Sequence, residues 1–254
     1  MNNKVILITA GATGIGRAVA RHFSTEGYRV HVCDVNQSAL HQLRTELPQI
    51  GSTCVDLTQP AQVDDLFETI HSDYGELDIL VNNVGIAGPT AAVENITLED
   101  WQHTIDVDLN SIFYVARRAV PLLKQSRGCM INMSSNAGLL GCPLRSPYVA
   151  AKWAIVGLTK TWAIELGPFG VRVNALCPGS VEGPRIDHVI ETDAKIRGLS
   201  PDRVRQAYLE QNSLGVFIKP ENIAQTVWFL CSEAAQHISG QAIPIDGHTE
   251  TLTS

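Results

Sequence analysis

Lys4 to Gly27 reads KVILITAGATGIGRAVARHFSTEG, and three kinds of segment follow one another in it. Lys4 to Thr9 is an unbroken apolar run, the pattern of a parallel strand covered on both faces. Gly11, Gly14 and Gly16 come next, and then apolar residues at helical spacing. Strand, glycine turn and helix within thirty residues open a dinucleotide-binding unit. Glycine permits the tight turn and lets backbone N–H groups approach a pyrophosphate. A glycine cluster alone is weak evidence, because such turns also occur without a ligand.

The next strand, Tyr28 to Asp34, ends in a carboxylate eighteen residues past Gly16. That is near the offset of ~20 residues at which an acidic side chain meets the adenosine ribose hydroxyls. A carboxylate there repels a ribose 2′-phosphate, and no Arg or Lys occurs from Val30 to Leu43. NAD is therefore expected in preference to NADP. The alternative is that Asp34 caps the following helix, a task Asn36 or Ser38 can also perform.

The same alternation continues. Helical spacing runs from Asn36 to Leu47, and Thr53 to Leu57 reads as a third strand. Pro60 opens a helix with Val63, Leu66, Phe67 and Ile70 on one side, and Leu77 to Val81 is a fourth strand. It breaks at Asn82-Asn83-Val84-Gly85, where side-chain amides and a glycine turn are placed to lie over a cofactor. Thr97 and Asp100 form a capping box before a long helical stretch to about Gln125. Gly128 to Met133 and Val171 to Leu176 are the fifth and sixth strands, the latter followed by a turn at Pro178-Gly179. Ser180 to Gly215 is charged and only patchily helical, as expected of a mobile segment covering a substrate. A helix from Glu221 to Cys231 and a strand from Ala242 to Ile245 complete the pattern. We expect one domain over residues 1–254, an α/β, Rossmann-like, doubly wound parallel sheet of about seven strands with helices on both faces. In such sheets ligands bind beyond the carboxyl ends of the strands, so the candidate residues gather on one edge.

Between the fifth strand and the next helix lies Ser134 to Lys152, SSNAGLLGCPLRSPYVAAK. Tyr148 and Lys152, four apart, share one face of a helix. A phenol has a reference pKa of about 10, and a neighbouring cation favours its phenolate. Ser135 can bring a hydroxyl to the same spot. Tyr and Lys at this spacing are common on helices, so the pair gains weight only from the strand-end residues around it.

Composition limits the partners. The 254 residues are 44% hydrophobic and 18% charged, with a net charge of −7. That balance disfavours nucleic acid or an anionic membrane as the main partner. No apolar run approaches the ~20 residues of a membrane span, and the first residues lack a signal-peptide pattern. Six scattered cysteines form no C-x-x-C pair, and Cys33, Cys54, Cys129 and Cys177 read as buried free thiols. A cytoplasmic location is expected, and no metal site.

These motifs, from ITAGATGIGRAVA through Asp34, VDLT, NNVG, SSNAG, YVAAK and VRVNALCPG to GQAIPIDG, resemble the classical short-chain dehydrogenase/reductase family over nearly the whole chain. The resemblance implies hydride transfer between a nicotinamide and a carbonyl or alcohol carbon, in a homotetramer or dimer. It implies Tyr148 as general acid/base, Lys152 favouring its phenolate and holding the nicotinamide ribose, and Ser135 holding the substrate oxygen. It also implies Gly11, Thr13, Gly14, Ile15 and Gly16 at the pyrophosphate, Asp34 at the ribose and Asp56-Leu57 at the adenine. Asn82 and Gly85 would pass along the cofactor, and Pro178, Gly179 and Val181 would sit near the nicotinamide.

Four positions depart from the family pattern. Ala10 stands where the first glycine of the turn is usual, and Val84 replaces Ala in NNAG. Asp108 occupies the place of the family's catalytic Asn, while Asn110 is over half a turn away. Gly183 replaces a Thr that follows the Pro-Gly turn. Arg145 and Arg185 flank the expected substrate region and suggest a small polar, anionic substrate such as a sugar acid or hydroxy acid; the alternative is that both form salt bridges with Glu182, Asp187 or another subunit. The leading expectation is an NAD-dependent alcohol dehydrogenase. The alternatives are a biosynthetic carbonyl or 3-oxoacyl-type reductase and, more distantly, a non-catalytic NAD-binding sensor or scaffold.

Overall fold

Every residue of the first strand, β1 (Val5–Thr9), is buried, as its unbroken apolar run demands. The computed structural model describes residues 3–252. After β1 come α1 (Gly14–Thr25), β2 (Arg29–Asp34), α2 (Gln37–Glu46), β3 (Gly51–Cys54), α3 (Pro60–Tyr74) and β4 (Ile79–Asn82). The chain continues with α4 (Leu98–Ile105), a π-helical turn (Asp106–Asn110), α5 (Ser111–Ser126), β5 (Cys129–Met133), α6 (Ser146–Leu166) and β6 (Arg172–Pro178). It closes with α7 (Pro184–Arg197), α8 (Pro201–Glu210), α9 (Pro220–Cys231) and β7 (Ala242–Ile245).

The seven strands form one parallel sheet in the order β3-β2-β1-β4-β5-β6-β7. Side chains of β1 alternate between two cores. Ile6 and Ile8 join Val19 and Phe23 of α1, Leu40 and Leu43 of α2, and Ile223 and Val227 of α9. Val5 and Leu7 join Leu66 and Ile70 of α3, Val115 and Leu123 of α5, and Leu166 of α6. The winding direction reverses between β1 and β4, so their carboxyl ends flank the crevice where doubly wound sheets bind ligands.

Local signals set most of the helix starts. Proline occupies the first turn of α3, α6, α7, α8 and α9, where its missing N–H costs nothing. Asn36 caps α2 by accepting from Ala39 N at 3.0 Å, which leaves Asp34 free for another role. Thr97 Oγ1 accepts from Asp100 N at 3.0 Å, as the capping box predicts.

Four expectations need correction. β3 lies at Gly51–Cys54 rather than at 53–57, because Cys54 is opposite Asp34, the last residue of β2. β6 extends through Pro178, paired with Ile245, so the turn begins only at Gly179. The segment 180–215 carries two helices, α7 and α8, with a small core of Ile190, Ala194 and Val204. Its helical pattern is faint because only a narrow stripe is buried. Cys54 is exposed, while Cys33, Cys129 and Cys177 are buried.

His31 on β2 is buried, with one ring nitrogen 3.2 Å from Tyr74 Oη and the other 2.9 Å from Thr53 Oγ1. Burial lowers its pKa from 6.5 to about 4, with the Asp73 carboxylate offsetting part of the effect. Unfolded His31 takes up a proton below pH ~6.5 and folded His31 only near pH 4. Stability is therefore unaffected above that window and falls through it on acidification, by roughly 3 kcal/mol. Urea unfolding at a series of pH values between 7 and 4 should show a shallower acid loss in His31→Leu than in the parent.

Candidate active site

The glycine turn lies at the open edge of the switch point. Thr13 and Gly14 are exposed, and the N-terminus of α1 receives no side-chain cap. Its first N–H groups are thus left for solvent or an anion. Gly16 allows close packing, since a Cβ there would stand 2.6 Å from Ala10 O. Ala10 itself sits in the left-handed region, at φ 46°, which explains why glycine is usual at this position. Asp34 Oδ2 accepts from Ala12 N at 3.1 Å and Oδ1 from Asn36 N at 3.0 Å. The carboxylate is therefore fixed against the glycine turn rather than spent on capping α2. An uncapped helix N-terminus with an acidic group beside it fits a dinucleotide: the anionic pyrophosphate at α1 and the ribose hydroxyls at Asp34.

The loop after β4 is tied to β1. Thr9 Oγ1 accepts from Asn83 N at 2.9 Å and Val84 N at 3.1 Å, and Asn83 Nδ2 donates to Thr9 O and Ala10 O. Asn82 is fully buried, and its Nδ2 donates to Asn132 Oδ1 on β5 at 2.9 Å. The Asn82 Nδ2 is thus tied to Asn132, opposite it in register, while Asn82 Oδ1 has no hydrogen-bond partner among the described residues. Asp56 Oδ1 accepts from Thr58 N at 2.9 Å, and Leu57 is buried in a core.

Tyr148 and Lys152 lie one turn apart on α6, with the Lys152 Nζ 5.5 Å from the centroid of the phenol ring. Lys152 is buried and donates to Met133 O, at the end of β5, at 3.2 Å. Ser134 Oγ donates to Lys152 O at 2.8 Å. Ser135 Oγ accepts from Ala137 N and lies 3.2 Å from Asn136 Oδ1. Strand end and helix are thereby locked together around the lysine.

Asp108 completes this group from the π turn. It is fully buried, its Oδ1 accepts from Ile86 N at 2.6 Å, and its Oδ2 lies 3.6 Å from Lys152 Nζ. Asn110 points elsewhere and donates to Asp106 Oδ1 at 2.6 Å. Gly85 passes so close that a Cβ would stand 3.1 Å from Lys152 Nζ and 3.4 Å from Asp108 Oδ1. The π turn and the Ile86 and Met133 contacts carry no signal in residue type, since two of the three are made by backbone atoms.

Across the crevice, Gly179 N donates to Ile245 O at 3.0 Å. A Cβ on Gly179 would lie 2.8 Å from Asp246 Cβ, and Val181 bridges to Ile218. Arg145 lies with its guanidinium carbon 5.5 Å from the Tyr148 ring centroid and donates to Thr90 Oγ1 at 3.0 Å and Ala87 O at 2.9 Å. Arg185 donates to Gly85 O at 3.2 Å. Neither arginine makes an ion pair among the described residues; Asp187 pairs with Arg205 instead. Burial raises the Tyr208 phenol to about 12, with Asp193 adding to the effect and Arg145 opposing it, so Tyr208 is a neutral donor near Arg145.

Seen against known proteins, this fold and site define a class. The family model described as enoyl-(acyl carrier protein) reductase matches residues 9–248. The chain belongs to the short-chain dehydrogenase/reductase family and is an oxidoreductase acting on CH–OH groups. It is 36% identical to a 3-oxoacyl-[acyl-carrier-protein] reductase of Thermotoga maritima, over 97% of this chain and 98% of that protein. It is 34% identical to a D-beta-hydroxybutyrate dehydrogenase of Cupriavidus necator, over 97% and 98% of the two chains. A crystal structure of an actinorhodin polyketide ketoreductase variant with NADPH superimposes with a TM-score of 0.93 at 29% identity, covering 97% of each chain.

Gly183 shows why the usual threonine is absent here. It is the N-cap of α7 with φ 133° and ψ 177°, a region essentially restricted to glycine. Gly183→Thr should lose about 1–3 kcal/mol of stability, read from urea unfolding, and should disturb the entry to α7.

Proposed function

We propose that this protein is an NAD-dependent alcohol dehydrogenase that interconverts a secondary hydroxyl and a ketone on a small, polar, anionic substrate such as a hydroxy acid or sugar acid. The observation that carries the NAD assignment is the Asp34 carboxylate held against the glycine turn. A ribose diol supplies donors to it, whereas a 2′-phosphate would face a fixed negative charge. Arg17, the basic residue nearest in sequence to the glycine turn, is paired with Glu46.

Gly11, Thr13, Gly14, Ile15 and Gly16 would hold the pyrophosphate, with Asp56-Leu57 toward the adenine. Gly85, Pro178, Gly179 and Val181 would line the nicotinamide side. The bound nicotinamide supplies the hydride acceptor or donor. In oxidation Ser135 Oγ holds the substrate oxygen, and Tyr148 Oη takes the hydroxyl proton as the carbon–hydrogen bond breaks. Lys152, fixed by Met133 and Asp108, stands one turn from the phenol and would hold the nicotinamide ribose hydroxyls. In reduction the same proton returns from Tyr148 to the substrate oxygen.

Support for an anionic substrate comes from Arg145, which faces the Tyr148 ring without a carboxylate partner among the described residues. Arg185, tied to Gly85 O, would stand on the same side. Helices α7 and α8 would cover the substrate. Exposed apolar side chains such as Trp101, Phe113 and Trp153 on α4 to α6, and Trp228 and Phe229 on α9, support a homo-oligomer, tetramer or dimer. Among the described residues no helix is long and apolar enough to cross a membrane, and the scattered free thiols suit a reducing cytoplasm.

A panel of hydroxy acids, sugar acids, polyols and neutral isosteres, followed by NADH absorbance with NAD or NADP, tests this reading. NAD should be preferred, and Asp34→Ala should narrow the preference. Better turnover with NADP would overturn it. Tyr148→Phe should lose at least ~10² of kcat while retaining NADH binding. Arg145→Ala should lose kcat/KM on charged substrates and spare neutral isosteres; equal losses on both would remove the anion assignment.

The similarity to the 3-oxoacyl reductase favours a second reading, reduction of an acyl thioester. Faster turnover of acetoacetyl thioesters with NADPH than of any alcohol with NAD would select it.

A further inference from the structure

Lys152 has its charge answered inside the protein. Its ammonium and the Asp108 carboxylate are both buried and lie 3.6 Å apart. The Ile86 N–H contact explains only Asp108 Oδ1. Oδ2 has no hydrogen-bond partner among the described residues and faces the ammonium alone. An asparagine oxygen can also accept from Ile86 N, so the backbone contact does not by itself call for a carboxylate. What the carboxylate adds is a negative charge beside the lysine.

We propose that Asp108 is a positioning residue that makes Lys152 half of a neutral, buried ion pair. On this view Lys152 acts on the phenol as a fixed and largely neutralised neighbour rather than as an unopposed cation, and oxidation sets in at higher pH than it would with an uncharged residue at position 108. This rests on reading Tyr148 as the proton acceptor. A lone ammonium beside the phenol favours proton loss; a carboxylate 3.6 Å from that ammonium cancels much of its field. The other charged or titratable groups around the phenol and lysine are few. Arg145 lies over the ring from the start of α6, and Arg185 reaches Gly85 O from α7. Cys177 on β6 and Asp246 after β7 sense one another, and Cys177 also senses Lys152. None of these forms an ion pair with Asp108 or Lys152.

The test compares the parent with Asp108→Asn in the pH profile of kcat/KM for the best alcohol of the panel. The acid limb of the Asn variant should lie at lower pH than that of the parent. Coincident limbs, with rates reduced by one factor at every pH, would overturn the proposal and leave Asp108 a merely structural residue. A second measurement needs neither turnover nor a folded Asp108 variant. Lys152→Met strands the buried carboxylate, so its melting temperature should recover toward that of the parent as the pH falls from 8 to 5. A difference from the parent that stays constant over that range would show that Asp108 and Lys152 are not a charge pair. If no alcohol is turned over by any form, the dehydrogenase reading fails, while the melting comparison still decides the pair.

Discussion

A buried ammonium has to be satisfied, and at Lys152 that requirement draws four separate parts of the chain to one point. The carbonyl of Met133 comes from the end of β5, the carboxylate of Asp108 from the π turn, and the ammonium from α6. The loop after β4 joins through Ile86 N and the close passage of Gly85. Removing a buried charge from water costs several kcal/mol unless partners replace the solvent. None of these elements is therefore free to drift without exposing or orphaning a charge. The phenol of Tyr148 inherits its position from this arrangement, since it rides on the same helix one turn earlier.

The cofactor side is organised by different physics. There the sheet reverses its winding between β1 and β4, and Thr9 joins the two strand ends with a single hydroxyl that accepts two backbone N–H groups. Asn83 repeats the tie through the carbonyls of Thr9 and Ala10. The glycine turn is thus held between a helix N-terminus whose donors lack side-chain caps and an Asp34 carboxylate whose orientation is set by Ala12 N. Left-handed Ala10 shows that the turn's shape is imposed by its surroundings, because an alanine adopts it despite its Cβ.

Much of this was legible in one dimension. Continuous apolar runs marked the strands because a parallel sheet covered on both faces leaves no polar side. Prolines and the Asn36 and Thr97 caps marked helix starts because each acts on backbone groups within its own turn. The misreadings share a cause. The end of β3 depends on where β2 stops, and the extension of β6 through Pro178 depends on pairing with β7. In each case a partner distant in the chain decides the outcome.

The sequence by itself determined the alternation of strands and helices, the glycine turn with its acidic residue, and the pairing of Tyr148 with Lys152 on one helical face. These follow from side-chain period and from residues acting on their own neighbours. Only the tertiary structure decided that Asp108 divides its two oxygens between Ile86 N and the Lys152 ammonium, that Gly183 occupies a backbone region closed to threonine, and that Arg145 faces the phenol without a counter-ion among the described residues. Those outcomes depend on backbone shape and on atoms brought together from elements far apart in the chain. They are properties of distance and direction in the folded molecule, which residue type and spacing along the chain do not encode.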